Sequence, residues 1–397
     1  MDLPRRAVVR TKFLPAFAFL AACSWLPRAE VKAPRPAPML AVEAESMRPS
    51  AKTKNVILVT IDGVRWQDVF GGVDPQMALM ASMKPSDVVG ADELMPNLYA
   101  LAKDGAVSGA PEHGAPMMAS GPNYVSLPGY MEIFTGSRQV GCRTNGCEPT
   151  KMRTMLDEAR EKLAVRDEDV AVISSWESIA NAASAAPHRI AMSAGRHGGV
   201  SRDKVRVDAV ASRLLDEGAA ATAAPGDHDY RPDAYTAALA LRYLETARPR
   251  VLSVNLGDTD EYAHAGDYAS YVAALRRADA FLGDLRGVLR KLKNYGEHTT
   301  IVVTCDHGRS SGFRDHGWDV PESGRVWMVA SGGAVPAVGY VTEGGAERLA
   351  DIAPTLEVLL GLQAPHGMWS GTPIAAITQP RPPAYLAKAG GNRELYR

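Results

Sequence analysis

Cysteine is scarce in this chain, four in 397 residues, and neither sign of charge prevails: 44 Lys+Arg stand against 45 Asp+Glu, a formal net charge of −1. So few cysteines exclude a disulfide miniprotein, and 46% apolar with 22% charged residues is the composition of a chain that folds around a sizeable core. With no basic surplus, nothing here would hold nucleic acid by neutralising its phosphates, and the largest Lys/Arg cluster is a short one at the N-terminus. Past the first two dozen residues, no apolar run approaches the roughly 20 residues that a membrane-spanning helix requires.

Those first residues are unlike the rest. A cationic start (Arg5, Arg6, Arg10, Lys12) precedes an apolar stretch from Phe13 to Ala22, the layout of a secretory signal and too short to span a bilayer. Leu20-Ala21-Ala22-Cys23 resembles the lipobox of bacterial lipoproteins, which implies lipidation at Cys23 and a membrane anchor. The alternative is an ordinary signal, residues 1–22, cleaved near Ala22. Residues 23–54, with Pro27, Pro34, Pro36, Pro38 and Pro49, read as an extended tether. A periplasmic or membrane-anchored location permits disulfides. Cys142 and Cys147 bracket the turn signal Asn145-Gly146 and are expected to pair, leaving Cys305 as a packed thiol.

From 55 to about 375 the pattern is that of one α/β domain, and 376–397 reads as a tail. Near-continuous apolar runs at 56–61, 170–174, 251–256, 300–304 and 326–330 predict buried parallel strands. Segments near 94–104, 150–164, 204–217, 232–247, 267–293 and 346–360 predict helices, the clearest carrying Val272, Leu275, Leu282, Leu285 and Leu289 on one face. The alternation predicts a mostly parallel central sheet flanked by helices. The Ala- and Gly-rich stretch 180–230 is expected to form an inserted cap or loop over the site.

Three predicted strands run straight into acidic groups: Ile61-Asp62-Gly63, Leu256-Gly257-Asp258-Thr259-Asp260 and Thr304-Cys305-Asp306-His307-Gly308. Ligands gather at the carboxyl ends of parallel strands. Asp260 and His264 are four apart, Asp306 and His307 adjacent, and His316 follows shortly after. A lone strand-end Asp caps the next helix as often as it does anything else, and a lone His is more often structural. Six such residues together point to zinc or a similar divalent ion. In Asn123-Tyr124-Val125-Ser126-Leu127-Pro128-Gly129, Pro128 places Ser126 at a helix N-terminus. There it either caps the helix or, beside a metal, ionises and attacks phosphorus or sulfur.

Taken in order, Thr60-Ile61-Asp62-Gly63, Ser126 to Tyr130 with Phe134-Thr135-Gly136, Asp260 to His264, Asp306-His307-Gly308 and His316-Gly317 resemble the alkaline phosphatase superfamily. The style is that of its nucleotide pyrophosphatase/phosphodiesterase and related phosphatase branch. The resemblance runs from Asn55 to about Gly371. It implies an alkaline-phosphatase-like fold and two divalent cations, zinc or alternatively manganese. Asp62, Asp306, His307 and the Ser126 oxygen would hold one, and Asp260, His264 and His316 the other. It implies Ser126 as nucleophile, double displacement through a phosphoserine, a small phosphoester as substrate, and Asn145 as a substrate-binding group. Asp258 adds an acid that the motif does not require, expected to orient a ligand His.

The sulfatase branch needs an Arg where Tyr130 stands, and the cytoplasmic mutase branch fits poorly with a signal segment. A monoester calls for a cationic partner, for which Arg138, Arg143, Arg309 and Arg314 lie on the right loops, though loop arginines are ordinarily solvated. A diester or phosphonate calls for a more apolar pocket, to which Trp66, Tyr130 or Trp318 could contribute. A surface-tethered binding module with structural metal is the alternative from another class.

Overall fold

Asn55–Ile61 is buried along its whole length, as a strand must be when helices cover both faces of its sheet. The computed structural model describes residues 52–222, 226, 229–342, 344–364 and 370–379. The signal segment, Cys23, nearly all of the tether and most of the tail lie outside them. Among the described residues are strands β1 (Asn55–Ile61), β2 (Gly105–Ser108), β3 (Met117–Met118), β4 (Val170–Ser174), β5 (Ala191–Ala194), β6 (Val251–Leu256), β7 (Thr299–Thr304), β8 (Arg325–Val326), β9 (Met328–Gly332), β10 (Gly339–Tyr340) and β11 (Glu347–Arg348). The main sheet has the order β10-β2-β9-β7-β1-β6-β4-β5, and β11, β3 and β8 make a small second sheet.

β1 pairs in parallel with both β6 and β7, and Thr60 is level with Asn255 on one side and Thr304 on the other. That register brings Asp62, the Gly257-to-Asp260 turn and Asp306-His307 to one edge of the sheet. Helix Tyr268–Lys291 buries its Leu275, Leu282, Leu285 and Leu289 face and packs on helices Asp258–Ala265, Asp233–Ala247 and Pro96–Lys103. The fold is therefore α/β with a mostly parallel sheet.

Two expectations are corrected. Residues 326–330 are not one parallel strand: the chain changes sheets at Trp327, with β8 before it and β9 after it, and β9 runs antiparallel to β7 and β2. Trp327 is fully buried and its indole N–H donates to the Val64 carbonyl, so the crossing point is pinned inside the core. The 180–230 stretch is built into the domain instead of forming a separate insertion. It supplies the edge strand β5, parallel to β4, and helix Ala209–Ala220, which packs on helix Asp233–Ala247. Cys142 and Cys147 are joined in a disulfide, and Cys305 is free and buried.

Candidate metal centre and nucleophile

The first group of ligands comes off the two central strands. Asp62 follows β1, and its N–H still donates to the Leu256 carbonyl. Gly63 has φ of 61°, and a Cβ there would collide with the Asp260 carboxylate, so glycine is required twice over. Its N–H donates to Asp306 Oδ1 at 3.1 Å. Asp306 and His307 follow β7 and are wholly buried. His307 Nδ1 lies 2.9 Å from the Gly308 carbonyl, so the proton belongs on Nδ1 and the Nε2 lone pair faces the site. Nε2 is 3.5 Å from Asp62 Oδ1, 3.4 Å from Asp306 Oδ2 and 3.2 Å from Ser126 Oγ.

Ser126 opens helix Ser126–Thr135 and is buried. Gly129 lets that helix press on the β7 end, since a Cβ there would meet the Asp306 carbonyl at 2.6 Å. Ser126 Oγ lies 3.5 Å from Asp62 Oδ1. The next N–H, of Leu127, donates to Asn145 Oδ1 at 2.9 Å.

The second group sits on a two-turn helix and a loop. Asp260 and His264 are one turn apart on helix Asp258–Ala265 and so share a face. His264 Nε2 is 3.0 Å from Asp260 Oδ2 and 3.0 Å from His316 Nε2. His316 Nδ1 lies 2.9 Å from the Tyr124 carbonyl, which again leaves Nε2 for the site. The His316 ring stacks on His307 with centroids 3.9 Å apart. Asp62, Asp306 and His307 offer ligand atoms within 4.8 Å of one another, and so do Asp260, His307 and His316. The cluster is thus continuous, with His307 between the two groups.

Its electrostatics are unsatisfied as they stand. Burial, then the neighbouring Asp306 charge, pushes the Asp62 carboxyl well above its ordinary range, and burial likewise raises Asp306. Burial pushes His316 far down and also lowers His264. Asp306 Oδ2 is buried without a hydrogen-bond donor, a costly state for a carboxylate oxygen. A divalent cation removes each conflict, because its ligands are ionised carboxylates and neutral imidazoles. The donor set therefore fits such ions, and mixed carboxylate and imidazole ligation suits zinc or manganese.

Four residues are placed differently from the sequence-based expectation. Asp258 touches no histidine; it accepts from Tyr230, Arg277 and the Asp233 N–H. Arg309 is neither solvated nor aimed at a substrate. It is 1% exposed and donates to the carbonyls of Gly63, Asp260 and Arg314 and to Asp260 Oδ1. Its place directly after Asp306-His307-Gly308 was the available signal. Tyr130 is buried, with its hydroxyl bonded to Asp62, and Trp66 lies under Arg325. Of the three aromatics only Trp318, on the His316 loop, is open to solvent, at 72%.

A family model described as the Metalloenzyme superfamily matches residues 228–364. That span includes Asp260, His264, Asp306, His307 and His316, but neither Asp62 nor Ser126. Among solved structures, the phosphonate monoester hydrolase of Agrobacterium radiobacter superposes with a TM-score of 0.53 at 18% identity, covering 83% of this chain and 78% of the hydrolase. A 2-O GAG sulfatase superposes with a TM-score of 0.54 at 11% identity, covering 82% and 74%. The fold, a mostly parallel sheet flanked by helices, is thus alkaline-phosphatase-like. Within that fold, the 2,3-bisphosphoglycerate-independent phosphoglycerate mutase of Thermomicrobium roseum is 30% identical over 149 residues, which are 34% of this chain and 26% of the mutase. The match thus spans about a quarter of that curated relative's length.

Proposed function

We propose that this protein hydrolyses phosphoric esters with two divalent cations, through a phosphoserine at Ser126. The observation that carries the reading is the placement of Ser126 Oγ. It lies at a helix N-terminus, 3.2 Å from His307 Nε2 and 3.5 Å from Asp62, beside a buried carboxylate oxygen that has no donor. Asp62, Asp306 and His307 would hold one cation with the Ser126 oxygen, and Asp260, His264 and His316 the other. Bound there, the ions would lower the pKa of the hydroxyl and neutralise charge on the transferring group.

The chain's own residues do the rest. The helix N-terminus favours an anion at Ser126 and orients its oxygen. That oxygen forms a bond to phosphorus as the bond to the leaving alcohol or phenol oxygen breaks. Water then cleaves the bond between phosphorus and the Ser126 oxygen, releasing phosphate from a monoester, a phosphomonoester from a diester or a phosphonate from its ester, and restoring the hydroxyl. Asn145, held against the Leu127 N–H, stands where it can turn its amide to a phosphoryl oxygen. This arrangement supports the phosphodiesterase-like branch.

One observation favours a diester or phosphonate over a monoester. Arg309 is consumed by Asp260 and backbone carbonyls, and Arg138 Nε by the Gly121 carbonyl. Two of the four loop arginines are therefore committed elsewhere, while Trp318, two residues after His316, offers an exposed apolar surface.

Acid-quenched turnover followed by peptide mass spectrometry tests the nucleophile. A phosphate ester on Ser126, absent in Ser126→Ala with zinc retained, supports it; turnover unaffected by Ser126→Ala contradicts it. Relative rates on p-nitrophenyl phosphate and bis-p-nitrophenyl phosphate choose between monoester and diester. Export with a lipid anchor on Cys23 belongs to the same reading, and labelling by palmitate in cells, lost in Cys23→Ser, tests it.

A further inference from the structure

Helix Asp258–Ala265 carries two of the second group's three ligands, yet the residue before it, Gly257, has no side chain with which to cap it. The cap comes from another helix. Asp233, the first residue of helix Asp233–Ala247, accepts from the Gly257 N–H at 2.8 Å through Oδ1 and from the Asp258 N–H at 3.0 Å through Oδ2. The exchange is reciprocal, since Asp258 Oδ1 accepts from the Asp233 N–H at 3.2 Å. The Tyr230 hydroxyl lies between the two carboxylates, 2.8 Å from Asp258 and 3.2 Å from Asp233. Ser175 Oγ donates to Asp233 Oδ1 at 2.5 Å. Tyr230, Asp233 and Asp258 are all buried, and a Cβ on Gly257 would meet the Tyr230 ring at 2.8 Å.

Each helix is thus capped by the first residue of the other, and the orphan N–H groups that every helix start carries are satisfied across a tertiary contact. We propose that Asp233 is a positioning residue for the second cation: by fixing the start of the ligand helix it sets Asp260 and His264 at coordinating distance. This rests on the two-cation reading above. Leverage makes the effect large. His264 lies ~10.5 Å along the axis from Gly257 at 1.5 Å per residue, so a tilt of about 10° displaces it by ~1.8 Å. Metal–ligand distances tolerate only about 0.2 Å. Asp62, Asp306 and His307 follow other strands, β1 and β7, and meet the capped helix through the Thr259 hydroxyl, which donates to the Asp62 carbonyl at 2.6 Å.

The test uses the full folded domain with its lipidation site removed by Cys23→Ser. Zinc content and zinc dissociation constants by chelator competition are read beside circular dichroism and thermal melting, for wild type, Asp233→Asn and Tyr230→Phe. Asp233→Asn keeps the volume but replaces one of the two acceptor oxygens with a donor. It should retain one tight zinc, weaken the second by roughly 10- to 100-fold, and regain turnover when zinc is added in excess. Tyr230→Phe, which leaves both caps in place, should weaken the second zinc by a smaller factor. A folded Asp233→Asn that binds both ions as wild type does would overturn the proposal. So would equal weakening of both ions with a lowered melting temperature, which marks a general structural role. If Asp233→Asn does not fold, Tyr230→Phe decides: selective loss at the second zinc supports the proposal, and two unchanged affinities overturn it. Fewer than two zinc ions on the wild type is a different result, because it removes the two-cation reading itself.

Discussion

Asp62, Asp306 and His307 leave the two central strands of the sheet and are at most 5% exposed, whereas the His264 side chain is 48% exposed and His316 rides on a loop. The first group is placed chiefly by the strand register, since Thr60 and Thr304 are level in adjacent strands. The second is placed by side chains that brace it. Arg309 grips the Asp260 carboxylate and carbonyl, Asp233 caps the Asp258 helix, and the Tyr124 carbonyl orients His316. The difference teaches that one candidate ligand group is a property of the sheet and the other of its bracing, so on the two-cation reading the two should come apart under perturbation.

The largest effect is expected at the Ser126 hydroxyl, beside His307 and Asp62 of the first group. Ser126→Ala should lower turnover by roughly 10³-fold or more with both cations retained, as kinetics beside metal analysis would show; loss of metal instead would make Ser126 chiefly a ligand. Next, Arg309→Met should release Asp260 and weaken the second cation by roughly 10- to 100-fold while sparing the first. Chelator titration checks this, and equal loss of both would erase the distinction between the two groups.

The first group should reveal itself through stability. Because burial raises the Asp306 carboxyl, the cation-free protein holds that proton more tightly than the unfolded chain does, and its stability falls as pH rises above the ordinary carboxylate range. In chelator at pH 8, Asp306→Asn should therefore melt higher than wild type, by about 1.5 °C or more, the shift about 1 kcal/mol produces at this size. With zinc present the order should reverse. A lower melting point for Asp306→Asn in chelator would mean that the carboxylate is satisfied by the protein alone.

The effect that should leave turnover and both cation affinities least changed lies outside both groups. Glu132, in the Ser126 helix, accepts from the Ser120 and Ala350 N–H groups, yet burial pushes its carboxyl up to about 7. Stability should fall by up to about 3 kcal/mol as pH rises from about 4.5 to about 7 and level off above. Glu132→Gln should flatten that slope in denaturant melts, leaving both cation affinities unchanged.

Much of this was legible in the residues. Buried parallel strands are near-continuous apolar runs, so 170–174 and 251–256 coincide with β4 and β6, and β1 and β7 begin one residue before the expected starts. The acids that follow three of these strands mark the edge where they gather. β2 and β5 carry no such signal, because Gly105-Ala106-Val107-Ser108 and Ala191-Met192-Ser193-Ala194 are short and made mostly of small residues. The bracing was hidden for a different reason. Asp233 caps a helix 25 residues away, and Arg309 reaches Asp260 across 49. Local spacing carries no trace of either contact; only the packed sheet brings them together.

The account stands most directly on stepwise removal of metal. Zinc-loaded protein titrated with a chelator, with bound zinc counted by mass spectrometry at each step, should start at two ions per chain and lose them in two separate stages. The His264 and His316 site should empty first and the Asp62, Asp306 and His307 site last. A folded protein that binds no zinc, or one that releases both ions in a single step, would contradict it.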